Sequence, residues 1–347
     1  MKINDRVINR DNKPYIIAEL SANHGGDLDR AKNSIKVAAK SGASAVKIQT
    51  YTPDTMTLNC ALPDFLVKEG LWANRSLYDL YTEAHTPFEW HEDLFKTASD
   101  HGITIFSTPF DETAVDLLES LNTPAYKIAS FEIIDLPLIR YIAKKNKPML
   151  MSTGMASKEE VRQAVDVVRE VTDAELLLFH CISSYPTITE ESNLHNISWL
   201  RDTFNVQVGL SDHTTNNIAA LTAIGLGAVA IEKHFKLDEL ECGPDASFSL
   251  TEDELKNLVN ECNQAWTAKG QAGLNRASSE KQNMVFRRSL YFVKNLSKGH
   301  VITNSDIRRI RPGYGLPPKY FDTVLGMKLT TDVKFGEPVS FSVLDTN

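Results

Sequence analysis

The chain holds a series of short apolar runs, each ending in ionisable or hydroxyl-bearing side chains, and those endings are where chemistry is available. In order they are Glu19 with Asn23 and His24; Lys47 and Gln49; Ser107 and Thr108; Lys127, Ser130 and Glu132; Thr153; Ser183 and Tyr185; Ser211, Asp212 and His213; then Glu232, Lys233 and His234. Within VKIQT, Lys47 and Gln49 alternate with apolar neighbours and share one face of a strand, as do Lys127 and Ala129 in YKIAS. Two ammonium groups, with hydroxyls from Thr108, Ser130 and Ser211, suit a small anion carrying both phosphate and carboxylate. The competing reading is internal: one lysine pairs with Glu19 or Glu132 and braces the site. A Schiff-base lysine is a third, and composition does not separate it from the others.

His213 in LSDHT and His234 in EKHF close two successive runs. Two imidazoles so placed can hold a borderline divalent ion, a carboxylate and water completing the shell, although packing histidines would give the same spacing. Asp245, in GPDASFS, follows closely and could orient a hydroxyl or water nearby. Glu19 and Glu132 are the candidate proton-transfer groups, since modest burial adjusts a carboxyl pKa. His24 and His180 rank lower, and His85, His91, His101, His195 and His300 are expected on the surface or on helices.

All these endings must be carried to one place. The runs themselves, 15–19, 45–49, 104–107, 125–128, 148–152, 176–180, 206–211 and 228–232, read as strands. Segments of helical period separate them, among them 29–40, 88–101, 114–121, 158–171 and 216–225, and 252–269 closes the series. Eight such units predict an α/β fold of the (β/α)8 TIM-barrel type, in which the C-terminal ends of all strands converge on one face. A doubly wound sheet is the main competitor. An insertion at 53–87 carries Phe65, Leu66, Leu71, Trp72, Leu77, Tyr78 and Tyr81, too apolar for a solvated linker. It is expected either to pack over the mouth or to form a lid or substrate-specific wall.

After Ala277 the pattern changes to short strands punctuated by Gly and Pro. The expected organisation is a barrel over 1–275, a linker over 276–284 and a small β-rich domain over 285–347, which should lean on the barrel or on a partner chain. The net charge of -8 argues against general nucleic-acid binding. Cys60, Cys181, Cys242 and Cys262 form no CxxC pair and read as free thiols. With no apolar signal-type core in MKINDRVINRDNKPYIIAEL and no run long enough to span a membrane, a cytoplasmic enzyme is expected.

The motifs IIAELSANHGG, AVKIQTYTPDTM, FSTPFDETAVDLLE, YKIASFEI, STGMAS, SSYPT, VGLSDHT, IEKHF and GPDASFSL together resemble the sialic acid synthase family. The C-terminal SLYFVKNLSKGHVITNSDIRRIRPGYG is similar to the antifreeze-like SAF domain of the same enzymes. The resemblance runs through the whole chain in order, and DFLVKEGLWANRSLYDLYTEAHTPFEWH is most like the pseudaminic-acid-forming branch. It implies that phosphoenolpyruvate adds to the aldehyde of 2,4-diacetamido-2,4,6-trideoxy-β-L-altropyranose, with phosphate released. Rival acceptors within the family lead to N-acetylneuraminate, legionaminate or a spore-coat sugar. Carried over by motif, Lys47, Thr108, Lys127, Ser130, Ser183 and Ser211 bind phosphoenolpyruvate, and His213 and His234 ligate manganese or magnesium, with cobalt a further option. Gln49, Tyr185 and Asp245 line the sugar side, and Glu19, Glu132, His213 and Asp245 are the catalytic set. Arg311 in RRIRPGYG matches an arginine that one subunit lends to the sugar site of the other, which implies a homodimer with swapped C-terminal domains. Ser183 stands where neuraminate-forming members carry Asn, a departure that bears on the sugar and not on the chemistry.

Overall fold

Alternation of inward and outward side chains along eight strands builds the first part of the molecule. In a computed structural model, which describes residues 1–237 and 243–345, these are β1 (Tyr15–Glu19), β2 (Ala45–Thr50), β3 (Thr104–Pro109), β4 (Tyr126–Ile128), β5 (Met149–Ser152), β6 (Leu176–Cys181), β7 (Gln207–Ser211) and β8 (Ala230–His234). Each pairs in parallel with the next, and β8 returns to β1 to close the barrel. A helix follows every strand: Leu28–Lys40, His91–Asp100, Glu112–Ser120, Leu136–Ala143, Lys158–Val171, Asn196–Phe204, Ile218–Gly225 and Glu252–Ala268. Their starts are fixed locally. Asp27 and Asp111 accept from the first-turn amides, and Ser157 with Glu160 and Thr251 with Glu254 form reciprocal capping boxes. The fold is the (β/α)8 barrel that the repeat predicts.

Outward residues such as Ile16, Val46, Ile48, Ile128, Met151, Leu178 and Ile231 pack with the helices' Ile35, Val115, Ile139, Val165 and Leu258. Inward residues Tyr15, Ile17, Ala45, Phe106, Ala125, Leu150, Leu177, Phe179 and Ala230 form a second cluster inside the barrel. Met1, Ile3 and Ile8, from a small N-terminal hairpin pairing Lys2–Ile3 with Arg6–Val7, join that inner cluster. Continuing the same phase up each strand, the next inward residues are Glu19, Lys47, Thr108, Lys127, Ser152, Cys181, Ser211 and Glu232. The barrel is therefore apolar at its base and polar at its mouth. The last strand starts and ends two residues later than its sequence pattern predicts, at Ala230–His234 instead of 228–232, which brings His234 into the strand in phase with Glu232.

The described residues divide into two compact units, Met1–Gly270 and Gln271–Asn347. In the second, β9 (Ser289–Phe292) pairs antiparallel with β10 (Ile307–Ile310), and isolated bridges such as Leu296–Val333 and Leu329–Leu344 extend the β structure. Leu290, Phe292, Ile302, Ile307, Val324, Leu329, Val333, Val339 and Leu344 give it an apolar core of its own, contrary to the expectation that so small a module would have little. Within the stretch expected as a linker, 3-10 turns run over Ser278–Phe286. Cys242 lies outside the described residues, and Cys60, Cys181 and Cys262 are free thiols.

Gly209 on β7 faces inward, and a Cβ there would lie 2.6 Å from the Phe179 ring and 2.8 Å from the Ala230 carbonyl oxygen. The missing side chain gives Phe179 its place in the barrel. Gly209→Ala should destabilise the protein by about 1–3 kcal/mol through overpacking. Thermal denaturation beside Gly225→Ala, whose added Cβ meets nothing within 4 Å, checks this: only the Gly209 variant should melt clearly earlier.

Candidate active site

The inward residues at the barrel mouth meet in one buried ion cluster. Lys47 Nζ lies 2.9 Å from Glu19 Oε2 and 3.2 Å from Glu232 Oε1, and donates to Thr108 Oγ1 at 3.3 Å. Lys127 Nζ donates to both oxygens of Glu232 at 3.1 Å and stands 4.8 Å from the centroid of the Phe179 ring. Ser211 Oγ donates to Glu232 Oε1 at 3.2 Å. None of Glu19, Lys47, Lys127 and Glu232 is more than 5% exposed. Lys47 thus makes two ion pairs and one hydrogen bond, whereas Lys127 donates twice to a single carboxylate. Burial alone would raise both carboxyls, and it does raise Glu19 despite the pull of Lys47. At Glu232 the flanking ammonium groups, Lys127 then Lys47, outweigh burial and hold it well below the usual carboxylate range. Burial lowers Lys127, against the pull of Glu232.

Glu232, named from sequence among the strand-end residues, is assigned no role there. The pairing foreseen for one lysine with Glu19 or Glu132 is realised with Glu19, and Glu232 rather than Glu132 is the second carboxylate. The signal was available in IEKHF: Glu232 and His234 alternate around Lys233 and so share a face. Lys233 points the other way and pairs with Asp212 at 2.8 Å.

A cavity of about 410 Å³ opens above this cluster. Lys47, Gln49, Lys127, Ser130, Glu132, Tyr185, Ser211, His213, His234 and Asp245 all line it, as do Ser21, Cys181 and Glu232. Thr108 meets Lys47 instead. Ser183 Oγ is buried without a hydrogen-bond partner and, with Ser130 Oγ, flanks Gly154, where a Cβ would come within 2.6 Å of both hydroxyls. Glu132, on the turn after β4, also has a buried oxygen without a partner, and burial pushes its pKa up to about 7. Arg311 is exposed on the second unit, next to β10.

His213 and His234 stand side by side, ring centroids 5.5 Å apart, with Tyr185 tilted by 40° at 4.3 Å from His213 and Phe248 4.9 Å from His234. His213 Nδ1 is 2.8 Å from the Ile182 carbonyl oxygen, a contact that fixes the ring. His234 Nδ1 is buried without a hydrogen-bond partner, 3.6 Å from Asp245 Oδ2. Burial and the neighbouring His213 hold His234 far below the ordinary histidine range, so it is a neutral imidazole. Two imidazoles beside a carboxylate are donors of the type a borderline divalent ion takes, although Cys181 and the Ile182 carbonyl raise His213 against burial, and among the described residues no three His, Cys, Asp or Glu side chains gather at ligand spacing. His180 faces outward onto the Ser192 carbonyl oxygen, and His24 lies buried edge-on to Trp90. His91, expected on a surface or helix, opens its helix but is fully buried on Thr50 Oγ1 at 2.7 Å.

The insertion forms the opposite wall. Met56, Val67, Trp72, Leu77, Leu80 and Tyr81 line the cavity, and the Trp72 indole donates to the Pro244 carbonyl oxygen at 3.1 Å. Behind them Tyr51 packs edge-on against Tyr81 and Phe110. The mouth thus has a charged floor and an apolar side.

That combination agrees with what the chain resembles among known proteins. The NeuB family pattern matches residues 34–273, and the SAF domain pattern residues 287–344. A pseudaminic acid synthase of Campylobacter jejuni is 46% identical over 95% of this chain and 96% of its own length. One from Helicobacter pylori is 42% identical over 94% and 96%. Among solved structures, the N-acetylneuraminic acid synthetase of Leptospira borgpetersenii superposes with a TM-score of 0.74 at 29% identity, covering 82% of this chain and 94% of that one. With its barrel matched over most of its length and its C-terminal unit matched as well, this chain belongs to the NeuB family and carries a SAF domain.

Proposed function

We propose that this chain is a pseudaminic acid synthase, joining phosphoenolpyruvate and water to 2,4-diacetamido-2,4,6-trideoxy-β-L-altropyranose and releasing phosphate. The observation that carries the sugar's identity is the near full-length similarity to two enzymes of that name. The cavity supports it. A C6 methyl and two acetamido methyls are apolar groups that the wall of Met56, Trp72, Leu77, Leu80 and Tyr81 would shield from water.

In this reading phosphoenolpyruvate sits on Lys127 and Lys47, with the hydroxyls of Ser130, Ser183 and Ser211 donating to it and Thr108 steadying Lys47. Gln49, Tyr185 and Asp245 hold the open-chain sugar with its aldehyde above C3 of phosphoenolpyruvate. C3 attacks the aldehyde carbon, and positive charge develops at C2, where the carboxylates of Glu132, Glu19 and Glu232 favour it. Glu132 takes a proton from the water that adds to C2, and that proton passes on to the new alkoxide. The C2–O bond to phosphate then breaks, the electron pair leaves with phosphate, and the hydroxyl proton goes with it as the 2-keto acid forms. His213 and His234, with Asp245, would hold a divalent ion, manganese or magnesium and with cobalt as a substitute, which when bound polarises the acceptor carbonyl. The proposal includes a cytoplasmic homodimer in which Arg311 of the partner subunit serves the sugar site, and a division into barrel 1–275, linker 276–284 and SAF domain 285–347.

Phosphate release from phosphoenolpyruvate, measured with N-acetylmannosamine, the diacetamido altrose and its legionaminate-pathway counterpart, should be fastest with the altrose. Preference for either of the others reassigns the acceptor. Treatment with a chelator should abolish turnover, and added manganese should restore it; full activity after chelation would remove the metal from the mechanism. Borohydride should trap no adduct on Lys127.

Glu132 gives a pH test with two opposite signs. As a base it works ionised, so kcat/KM should rise with pH through about 7, and Glu132→Gln should lose that limb along with most of its activity. Stability runs the other way. The folded state raises the carboxyl from 4.5 to about 7, so stability falls as pH rises across that interval. Glu132→Gln should therefore melt above the wild type at pH 8, with the gap narrowing as the pH drops toward 4.5.

A further inference from the structure

Ser21, in the turn after β1, holds a left-handed backbone at φ 40° and is only 4% exposed. Among the described residues the other non-glycine positions with positive φ, namely Asn4, Asn74, Asn122, Asn146, Asn193 and Asn205, are all asparagine, the residue most tolerant of that region. A serine there is disfavoured unless its side chain is needed. Its N–H and its hydroxyl are both engaged with the mouth. The Ser21 N–H donates to Glu19 Oε1 at 3.0 Å, its hydroxyl oxygen accepts from Gln49 Nε2 at 3.2 Å, and the hydroxyl donates to Asp245 Oδ2. Gln49 Nε2 also donates to Glu19 Oε1 at 3.3 Å. One side chain thus ties the ends of β1 and β2 to the loop after β8. The Asp245 oxygen it holds is the one 3.6 Å from His234 Nδ1, so the carboxylate has two directions in which to turn.

We propose that Ser21 is a positioning residue for acceptor recognition: its hydroxyl fixes Gln49 and Asp245 in the orientation that meets the sugar, and the strained turn is retained for that purpose. Without the hydroxyl, Asp245 loses its donor and swings toward His234, and Gln49 keeps only Glu19. Binding of phosphoenolpyruvate, on the far side around Lys127, does not depend on it. This rests on the reading that Gln49 and Asp245 face the acceptor sugar.

The test compares Ser21→Gly, Ser21→Ala and Ser21→Thr by steady-state phosphate release, thermal melting and the crystal structure of the glycine variant. Ser21→Gly should melt at or above the wild type, because glycine adopts this turn freely. It should still raise KM for the sugar roughly tenfold, as loss of one hydrogen bond to a charged group does, with KM for phosphoenolpyruvate within about twofold. Ser21→Ala should show the same sugar defect and melt below the glycine variant. Ser21→Thr keeps the hydroxyl and should return the sugar KM toward wild type even if it melts earlier. A sugar KM within about twofold of wild type in Ser21→Gly, or an equal rise in both KM values, would overturn the assignment. If the wild type turns over none of the three acceptors, it is the functional reading that fails, and the crystal structure still decides this one. The Asp245 carboxylate of Ser21→Gly should have turned toward His234, and an unmoved carboxylate sinks the idea.

Discussion

Two lysines and two carboxylates sit inside a closed barrel with almost no access to water, and the rest of the molecule is arranged around the cost of putting them there. Desolvating each ion costs several kcal/mol, and attraction compensates only where geometry is good and the remaining donors are met. Glu232 satisfies that condition by engaging both Lys127 and Lys47, while Glu19 and Thr108 complete the shell of Lys47. Loss of Glu232 would strand Lys127 as a buried cation, whereas loss of Glu19 would leave Lys47 paired with Glu232. The cluster therefore demands that strands β1, β2, β4 and β8 keep their register, and the continuous hydrogen-bonded barrel supplies that constraint.

Register in turn depends on the apolar tier below. Phe179, Phe106 and Leu150 fill the interior under the ions, with the N-terminal hairpin adding Met1, Ile3 and Ile8. Gly209 makes room for the Phe179 ring, whose face lies against the Lys127 ammonium. A packing choice on β7 is thereby felt at Lys127 on β4. The helices act on the other phase of the same strands and hold the barrel closed from outside.

Above the ions the mouth is deliberately uneven in polarity. One side offers Lys127, Ser130 and Ser211, and the other the apolar wall of the insertion, latched to the loop after β8 through Trp72. In the proposed reaction a charged donor substrate and a partly apolar acceptor would lie on different surfaces of one cavity, an arrangement that favours an ordered approach of their reacting carbons. Glu132 stands in this cavity with its carboxyl raised by burial, where it can take up and give back a proton near neutral pH.

Much of this was legible in the chain itself. Eight repeats of strand-like and helix-like period determined the barrel, because periods of two and 3.6 each admit one kind of buried surface. The strand ends named most of the polar cavity lining, including Lys47, Lys127, His213 and His234, since a barrel brings all such ends to one face. The order of the motifs identified the family. Only the tertiary structure decided that Glu232 is the hub, because its partners Lys47 and Lys127 lie far away in sequence and become neighbours only when the barrel closes. It decided likewise that His91 is buried, that the insertion is a wall, and that Ser21 holds Asp245 across 224 residues. Alternation states which residues share a face. Which face turns inward, and what it meets across the barrel, is set by closure and packing.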